Sequence, residues 1–143
     1  MRVTSAEYKM LTAKKTKYGN VKASVDGIVF DSRAEARRYS ELKLLEKAGE
    51  IHRLELQPKF ILVPKTKKRR AVTYTADFAY GVAITNEDCE KCGFYPDKCG
   101  NCEYKTVVED VKSPATAKDK AYIVKRNLFE YQNPNIEFRE VIS

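Results

Sequence analysis

The run Val107-Val108-Glu109-Asp110-Val111-Lys112-Ser113 constrains this chain more than any other stretch. Its β-branched residues specify a short strand. Side chains alternate faces along a strand, so Asp110 and Lys112 point the same way, after Val108, while Glu109 points the other way. A buried or half-buried strand rarely carries two charges on one face unless they are paired or put to use. One use that suits a carboxylate beside an ammonium is metal-dependent cleavage of a phosphodiester. Such a site needs further carboxylates, and Glu35 and Asp77 are the two that the remaining elements bring forward.

Length and composition narrow the classes. At 143 residues the chain is read as one domain with a real core. No apolar run approaches a bilayer span, and the N-terminus lacks the apolar core of a secretory signal, so a cytoplasmic protein without membrane contact is expected. The formal charge is +7, from 27 basic against 20 acidic residues. That excess points to a polyanionic partner, with a plain basic surface as the bland alternative. The single histidine, His52, excludes paired-histidine nucleases and catalytic zinc sites built on two or three histidines. Any hydrolysis must rest on carboxylates and lysine.

Residues 1–20 read as a basic arm, with a frayed terminus as the alternative, and residues 21–143 as the domain. Asp26-Gly27, flanked by Val25, Ile28 and Phe30, marks a β-hairpin. A first helix is predicted over about Ser32 to Ala48, with Ser32 as N-cap, Glu35 completing a capping box and Gly49 as the stop. Two readings of Glu35 stand open: its carboxylate serves the cap, or it is directed along the partly apolar face it shares with Tyr39 and Leu42. Ile51 to Val63 reads as one strand or two short ones, interrupted at Gln57-Pro58. Lys65-Thr66-Lys67-Lys68-Arg69-Arg70 is then either a solvated hairpin tip or a loop that reaches for phosphates. Val72 to Tyr80 reads as a second strand in which Asp77, a poor strand former, is the only charge.

The four cysteines lie within residues 89–102 as Cys89-x2-Cys92-x6-Cys99-x2-Cys102. Two such knuckles suit one tetrahedral zinc, and with no open position the site is expected to be structural, clamping an insert at about 85–104. Iron is chemically compatible with the same ligands, and disulfides or unbound thiols are the bland alternative. The third strand, Lys105 to Ser113, ends at Pro114. A second helix is predicted over 117–132 with an apolar stripe of Ala121, Val124, Leu128 and Tyr131. Lys118 and Lys120 lie at its start, either as part of an exposed face or near a backbone phosphate. Asn133-Pro134-Asn135 ends it, and Ile136 to Ile142 is a last strand.

The expected layout is therefore α/β: an N-terminal hairpin, then helix–strand–strand–strand–helix–strand, with the second helix crossing over between strands. Glu35, Asp77 and Asp110 supply the hard oxygen ligands that suit magnesium, and Lys112 would position or activate the attacking water and offset charge in the transition state.

Asp77, Asp110-Val111-Lys112 and the helical Glu35 together resemble the PD-(D/E)XK nuclease superfamily. That likeness covers about residues 32–142 and implies its αβββαβ restriction-endonuclease-like core, a mixed central sheet flanked by helices. The runs Phe30-Asp31-Ser32-Arg33-Ala34-Glu35-Ala36-Arg37-Arg38-Tyr39, Leu56-Gln57-Pro58-Lys59-Phe60 and Tyr74-Thr75-Ala76-Asp77-Phe78 resemble a phage-encoded family grouped with Holliday-junction-resolving enzymes of the archaeal type. Here Ala76 stands where the superfamily has proline, Asp110 where glutamate is more frequent, and the cysteine insert is additional to the core. Glu109 is the second choice for the third ligand. The resemblance implies a magnesium- or manganese-dependent endonuclease, a junction resolvase acting on branched DNA as a homodimer in the host cytoplasm. Lys65, Lys67, Lys68, Arg69, Arg70, Lys118 and Lys120 are the expected DNA contacts. Two alternatives are a non-catalytic zinc-knuckle nucleic-acid-binding protein and a nuclease subunit of the transposon-end type that needs a partner.

Overall fold

The computed structural model describes residues 21–84 and 103–143. The expected basic arm and the four cysteines lie outside these residues. Among the described residues, no helix is long and apolar enough to cross a membrane.

The chain opens with the expected hairpin, β1 (Ala23–Val25) and β2 (Ile28–Phe30). Asp26 (φ 52°) and Gly27 (φ 77°) both take positive φ, the turn geometry that matches the twist of two antiparallel strands. Helix α1 spans Arg33–Lys47, and the Ser32 hydroxyl accepts the Glu35 N–H at 3.1 Å. Its last carbonyls are closed by Gly49 N–H to Glu46 O and Glu50 N–H to Leu45 O, both 3.0 Å. Gly49 supplies the left-handed residue (φ 79°) that this termination needs.

Next come β3 (His52–Leu56), β4 (Lys59–Val63), β5 (Val72–Thr75), β6 (Phe78–Ile84) and β7 (Glu103–Lys112). Two helices follow, α2 (Pro114–Ala117) and α3 (Lys120–Gln132), and then β8 (Glu137–Ile142). The main sheet has the order β3-β6-β7-β8. Its pairs are antiparallel except β7 with β8, which are parallel and therefore need the crossover that α2 and α3 supply. The fold is α/β with a mixed sheet and helices. β4 and β5 pair only with each other, as a separate two-stranded ribbon.

Two expectations change. Val72 to Tyr80 is not one strand. The segments 52–63 and 72–84 form one long antiparallel pair that is bent in the middle, so β3 and β6 join the main sheet while β4 and β5 leave it. One side of the bend is Gln57 (φ 50°) and Pro58, which has no N–H for a ladder. The other side is Ala76 and Asp77. Gln57 N–H bonds Asp77 O at 2.9 Å and Ala76 N–H bonds Pro58 O at 3.1 Å, which closes the bend on itself. Asp77 therefore lies at a break between sheets and not mid-strand, and its poor strand propensity needs no further account.

The second correction concerns the second helix. It begins at Lys120, and a separate short helix, α2, occupies the expected break, because the Ser113 hydroxyl caps α2 and the Asp119 carboxylate caps α3, accepting the Tyr122 N–H at 3.2 Å. The buried face of α3 is Tyr122 and Phe129, whereas Val124 and Tyr131 of the expected stripe are 64% and 85% exposed. Aromatic packing decides the orientation. Phe129 sits 4.6 Å from Phe60, 5.5 Å from Tyr74 and 6.2 Å from Phe138, ring centre to ring centre. An aromatic cluster of this size buries more apolar area than the aliphatic stripe offers.

The sheet is covered on both faces. Tyr39 and Leu42 of α1 pack with Phe78, Tyr80, Val107 and Val111 on one side. Tyr122 and Phe129 of α3 pack with Tyr74, Ala79 and Val108 on the other. Helix α1 is also tied to β7 by charge. Glu109 is 0% exposed, and Arg38 grips it with two nitrogens, Nε to Oε1 and Nη2 to Oε2, the latter at 3.1 Å. The Tyr80 hydroxyl donates to the same carboxylate at 2.7 Å.

Arg38→Ala would leave a fully buried carboxylate with one neutral donor. The expected loss is about 3 kcal/mol in urea unfolding, and replacing both partners, Arg38→Met with Glu109→Leu, should recover most of it. Single and double variants that unfold alike would remove this role for the pair.

A second expectation concerns alkaline pH. Burial, and then the hydrogen bond to Glu109, push the Tyr80 hydroxyl up to about 12. Burial and nearby carboxylates also push up Tyr74 and Tyr122. In the unfolded chain tyrosine ionises near 10. Below that pH both states keep the proton and the contribution to stability is complete. Above it the unfolded chain sheds protons that the fold retains, so stability falls as pH rises from about 10 to about 12. The urea midpoint should drop across that window, less steeply in Tyr80→Phe; equal slopes in the two proteins would exclude Tyr80 as a source.

Candidate active site

The two adjacent carboxylates of β7 are both 0% exposed, and strand alternation sends them to opposite faces. Glu109 faces α1 and is occupied by Arg38 and Tyr80. Both of its oxygens are hydrogen-bonded on that face. Asp110 faces the α3 side, where the Tyr74 hydroxyl and Lys112 Nζ both donate to it. Asp110 and Lys112 thus share a face as the sequence implied, and they touch.

Asp77 arrives from the bend. Its backbone N–H bonds Glu109 O at 3.2 Å, and its Oδ2 accepts the Val111 N–H at 2.7 Å. These two bonds fasten the residue across the end of β7. Lys112 Nζ lies 3.9 Å from Asp77 Oδ2, so one ammonium serves both aspartates. It also sits 5.2 Å from the centre of the Tyr122 ring, close enough for a cation–π contact.

The electrostatics of the pair are unfavourable as they stand. Burial pushes the Asp77 carboxyl up to about 8, and its hydrogen bond with Asp110 and the charge of Asp110 push the same way. Lys112 and the Val111 N–H pull it down without compensating. A buried and a half-buried carboxylate side by side favour whatever cation or proton relieves their repulsion.

Glu35 stands beside this pair and does not join it. Its carboxylate accepts from the Ser32 hydroxyl at 3.2 Å, so the capping role is real. Burial raises its pKa, the Ser32 bond lowers it, Asp31 raises it and the charge of Lys112 lowers it. Glu35 and Asp77 nevertheless open on one cavity of about 180 Å³, walled by Ile28, Phe30, Leu56, Gln57 and Phe78. Among the described residues, no three His, Cys, Asp or Glu side chains are gathered so as to hold one metal ion. The expected meeting of three acids is thus a contacting pair, Asp77 and Asp110, with Glu35 sharing a cavity with Asp77 alone and held at the helix cap. The donor set still fits magnesium, a hard cation that commonly takes one or two carboxylates and completes its shell with water and substrate phosphate.

Tyr74 and Tyr122 were not singled out in the sequence. Tyr74 merely continues the apolar alternation of its strand, and no local signal reveals that its hydroxyl ends on Asp110. Tyr122 faces Lys112 with its ring, while its hydroxyl donates to Glu140 at 2.7 Å. Of the expected DNA contacts, Lys65, Lys67, Lys68, Arg69 and Arg70 are exposed between β4 and β5. Lys118 and Lys120 are exposed around the start of α3. Cys89, Cys92, Cys99 and Cys102, the expected zinc ligands, lie outside the described residues.

No curated protein and no solved structure matches this chain. A family model does match residues 15–91, a stretch that holds Glu35 and Asp77 and ends before Asp110 and Lys112. That stretch is more than half of the 143 residues, and the chain belongs to the family described as "Protein of unknown function (DUF1064)".

Proposed function

We propose that this chain is a magnesium-dependent, structure-selective DNA endonuclease that cuts phosphodiester bonds in branched DNA, as a Holliday junction resolvase does. The observation that carries the reading is the contact of Asp77, Asp110 and Lys112 at the end of the central strand, with Glu35 on the adjoining cavity. The element order supports it. With the ribbon set aside, α1, β3, β6, β7, α3 and β8 follow the αβββαβ order of restriction-endonuclease-like nucleases. The net charge of +7 suits a polyanionic substrate.

Each residue has a separate task. Asp77 and Asp110 would hold Mg2+ or Mn2+, which when bound polarises the scissile phosphate and acidifies a water. The Val111 N–H fixes the direction of Asp77, and the Tyr74 hydroxyl fixes that of Asp110. Lys112 holds the two carboxylates together before substrate arrives and then faces the charge that develops on the phosphate oxygens. Glu35 orients water at the far wall of the cavity. A homodimer, which would cut two symmetric strands, and a structural zinc in the cysteine insert belong to the same proposal.

The direct test is to incubate the purified chain with a four-way junction and with matched linear duplex, with and without magnesium. Junction-selective cleavage that requires the metal is the expected result. Asp77→Asn and Lys112→Ala should each reduce the rate by about 100-fold or more. Binding without cleavage, or cleavage that persists in Asp77→Asn, would replace the enzyme with a non-catalytic binding protein or a contaminant.

The two faces of β7 give a sharper contrast. Asp110→Asn should abolish cleavage with little change in unfolding, whereas Glu109→Gln should lower stability and leave the rate of the folded protein close to that of the parent. The reverse pattern would move the catalytic face to the α1 side of the sheet.

A further inference from the structure

The outer face and tip of the β4–β5 ribbon form the largest feature that the site does not use. Its inner face is ordinary core: Leu62 and Tyr74 are buried, and the Gln132 side chain donates to Leu62 O at 2.8 Å. Its outer face is not. Ile61 is 66% exposed, and Val63 and Val72, paired across the strands, are exposed beside it. At the tip, Thr66 N–H bonds Arg69 O at 3.0 Å and the Thr66 hydroxyl accepts Arg69 N–H at 3.1 Å, so the turn has a defined shape. Lys67, Lys68, Arg69 and Arg70 surround an open concavity of about 610 Å³ there, and none of the four is ion-paired with a described residue.

We infer that this ribbon is an arm that lies in a groove of a DNA duplex and holds one arm of the substrate in register with the scissile phosphate. The inference rests on the nuclease reading for the identity of the polyanion. A merely solvated tip accounts for the cations but not for the strip of exposed aliphatic side chains beside them. A second copy of the chain is a poor occupant, because a two-fold contact would set one cationic tip against another. A duplex satisfies both features. Its phosphates neutralise the tip, its base edges and sugars cover the aliphatic strip, and its major groove has the width to admit a two-stranded ribbon.

The attachment makes the arm a ruler. Its base is locked to the candidate site by Gln57 N–H on Asp77 O and Ala76 N–H on Pro58 O. Five strand residues at about 3.3 Å each carry the ribbon roughly 17 Å from that base. At about 3.4 Å per base pair, the tip meets phosphates roughly five base pairs from the cut.

The test uses the full chain silenced by Asp77→Asn, so that binding is read without cleavage, with a labelled four-way junction followed by fluorescence anisotropy between about 50 and 200 mM salt. Adding K67A, K68A, R69A and R70A should weaken binding by at least about tenfold and reduce the salt slope by about 3.6, since each of the four phosphates left without its cation removes about 0.9. Adding Ile61→Ser and Val63→Ser should weaken binding with the salt slope unchanged, because no charge is removed. Footprinting should show no protection about five base pairs from the cut position in the tip variant. All the ribbon substitutions are at exposed positions, and a melting temperature equal to that of the Asp77→Asn parent confirms the fold.

Equal affinity and slope in the tip variant would overturn the inference, as would a silenced parent that does not bind DNA. Ribbon-dependent binding by a chain that never cuts would support the arm and sink the nuclease reading. Cleavage with ribbon-independent binding would do the opposite.

Discussion

Two carboxylates next to each other in the chain, both removed from water, govern this structure. An isolated charge in a protein interior is costly enough that it must be paired and hydrogen-bonded or lose its ionisation. Glu109 and Asp110 are neighbours on the central strand, and the pleat sends them to opposite layers. Each layer has to supply donors of its own. Arg38 and Tyr80 come from α1 and β6 for Glu109, and Lys112 and Tyr74 come from β7 and β5 for Asp110. The placement of three elements, α1, β5 and β6, around β7 follows from that demand.

The two solutions differ in kind. Glu109 receives a planar guanidinium on both oxygens together with a phenol, which saturates it. Asp110 receives a phenol and an ammonium, but a second carboxylate, Asp77, is fastened beside it by the Val111 N–H, and burial and the neighbouring Asp110 push that carboxyl up to about 8. The saturated face is a structural clamp. The unsaturated face sets two carboxylates in contact around one ammonium.

The bend of the long hairpin creates the unsaturated face. An uninterrupted β5–β6 strand would keep Asp77 in a regular ladder. Pro58 removes a ladder donor on one side, and Gln57 in the left-handed region turns the chain. The strands then part into two sheets, and Asp77 drops onto the end of β7. The same bend frees β4 and β5 as a ribbon anchored at the site. One irregularity therefore sets both the carboxylate pair and the direction in which the cationic tip extends.

Local chemistry was legible wherever a feature depends on a few neighbouring residues. Asp26-Gly27, the Ser32 cap, the Gly49 stop and the shared face of Asp110 and Lys112 are each dictated by backbone sterics or strand period, and all appear in the fold. The α/β layout was legible for the same reason, since it is the sum of such local elements. What depended on competition between distant groups was not legible. Tyr122 and Phe129 took the core face from Val124 and Tyr131 of the expected stripe because Phe60, Tyr74 and Phe138 lie across the sheet, and no helical period encodes those partners. The partners of Glu109 and Asp110 also lay beyond the sequence, because they turn on which layer holds Arg38. The sequence by itself determined that a carboxylate and a lysine share one face of the central strand. Tertiary structure alone decided that Asp77 joins them while Glu35 stays at its cap, because a buried charge settles where its donors are, and those donors come from other elements.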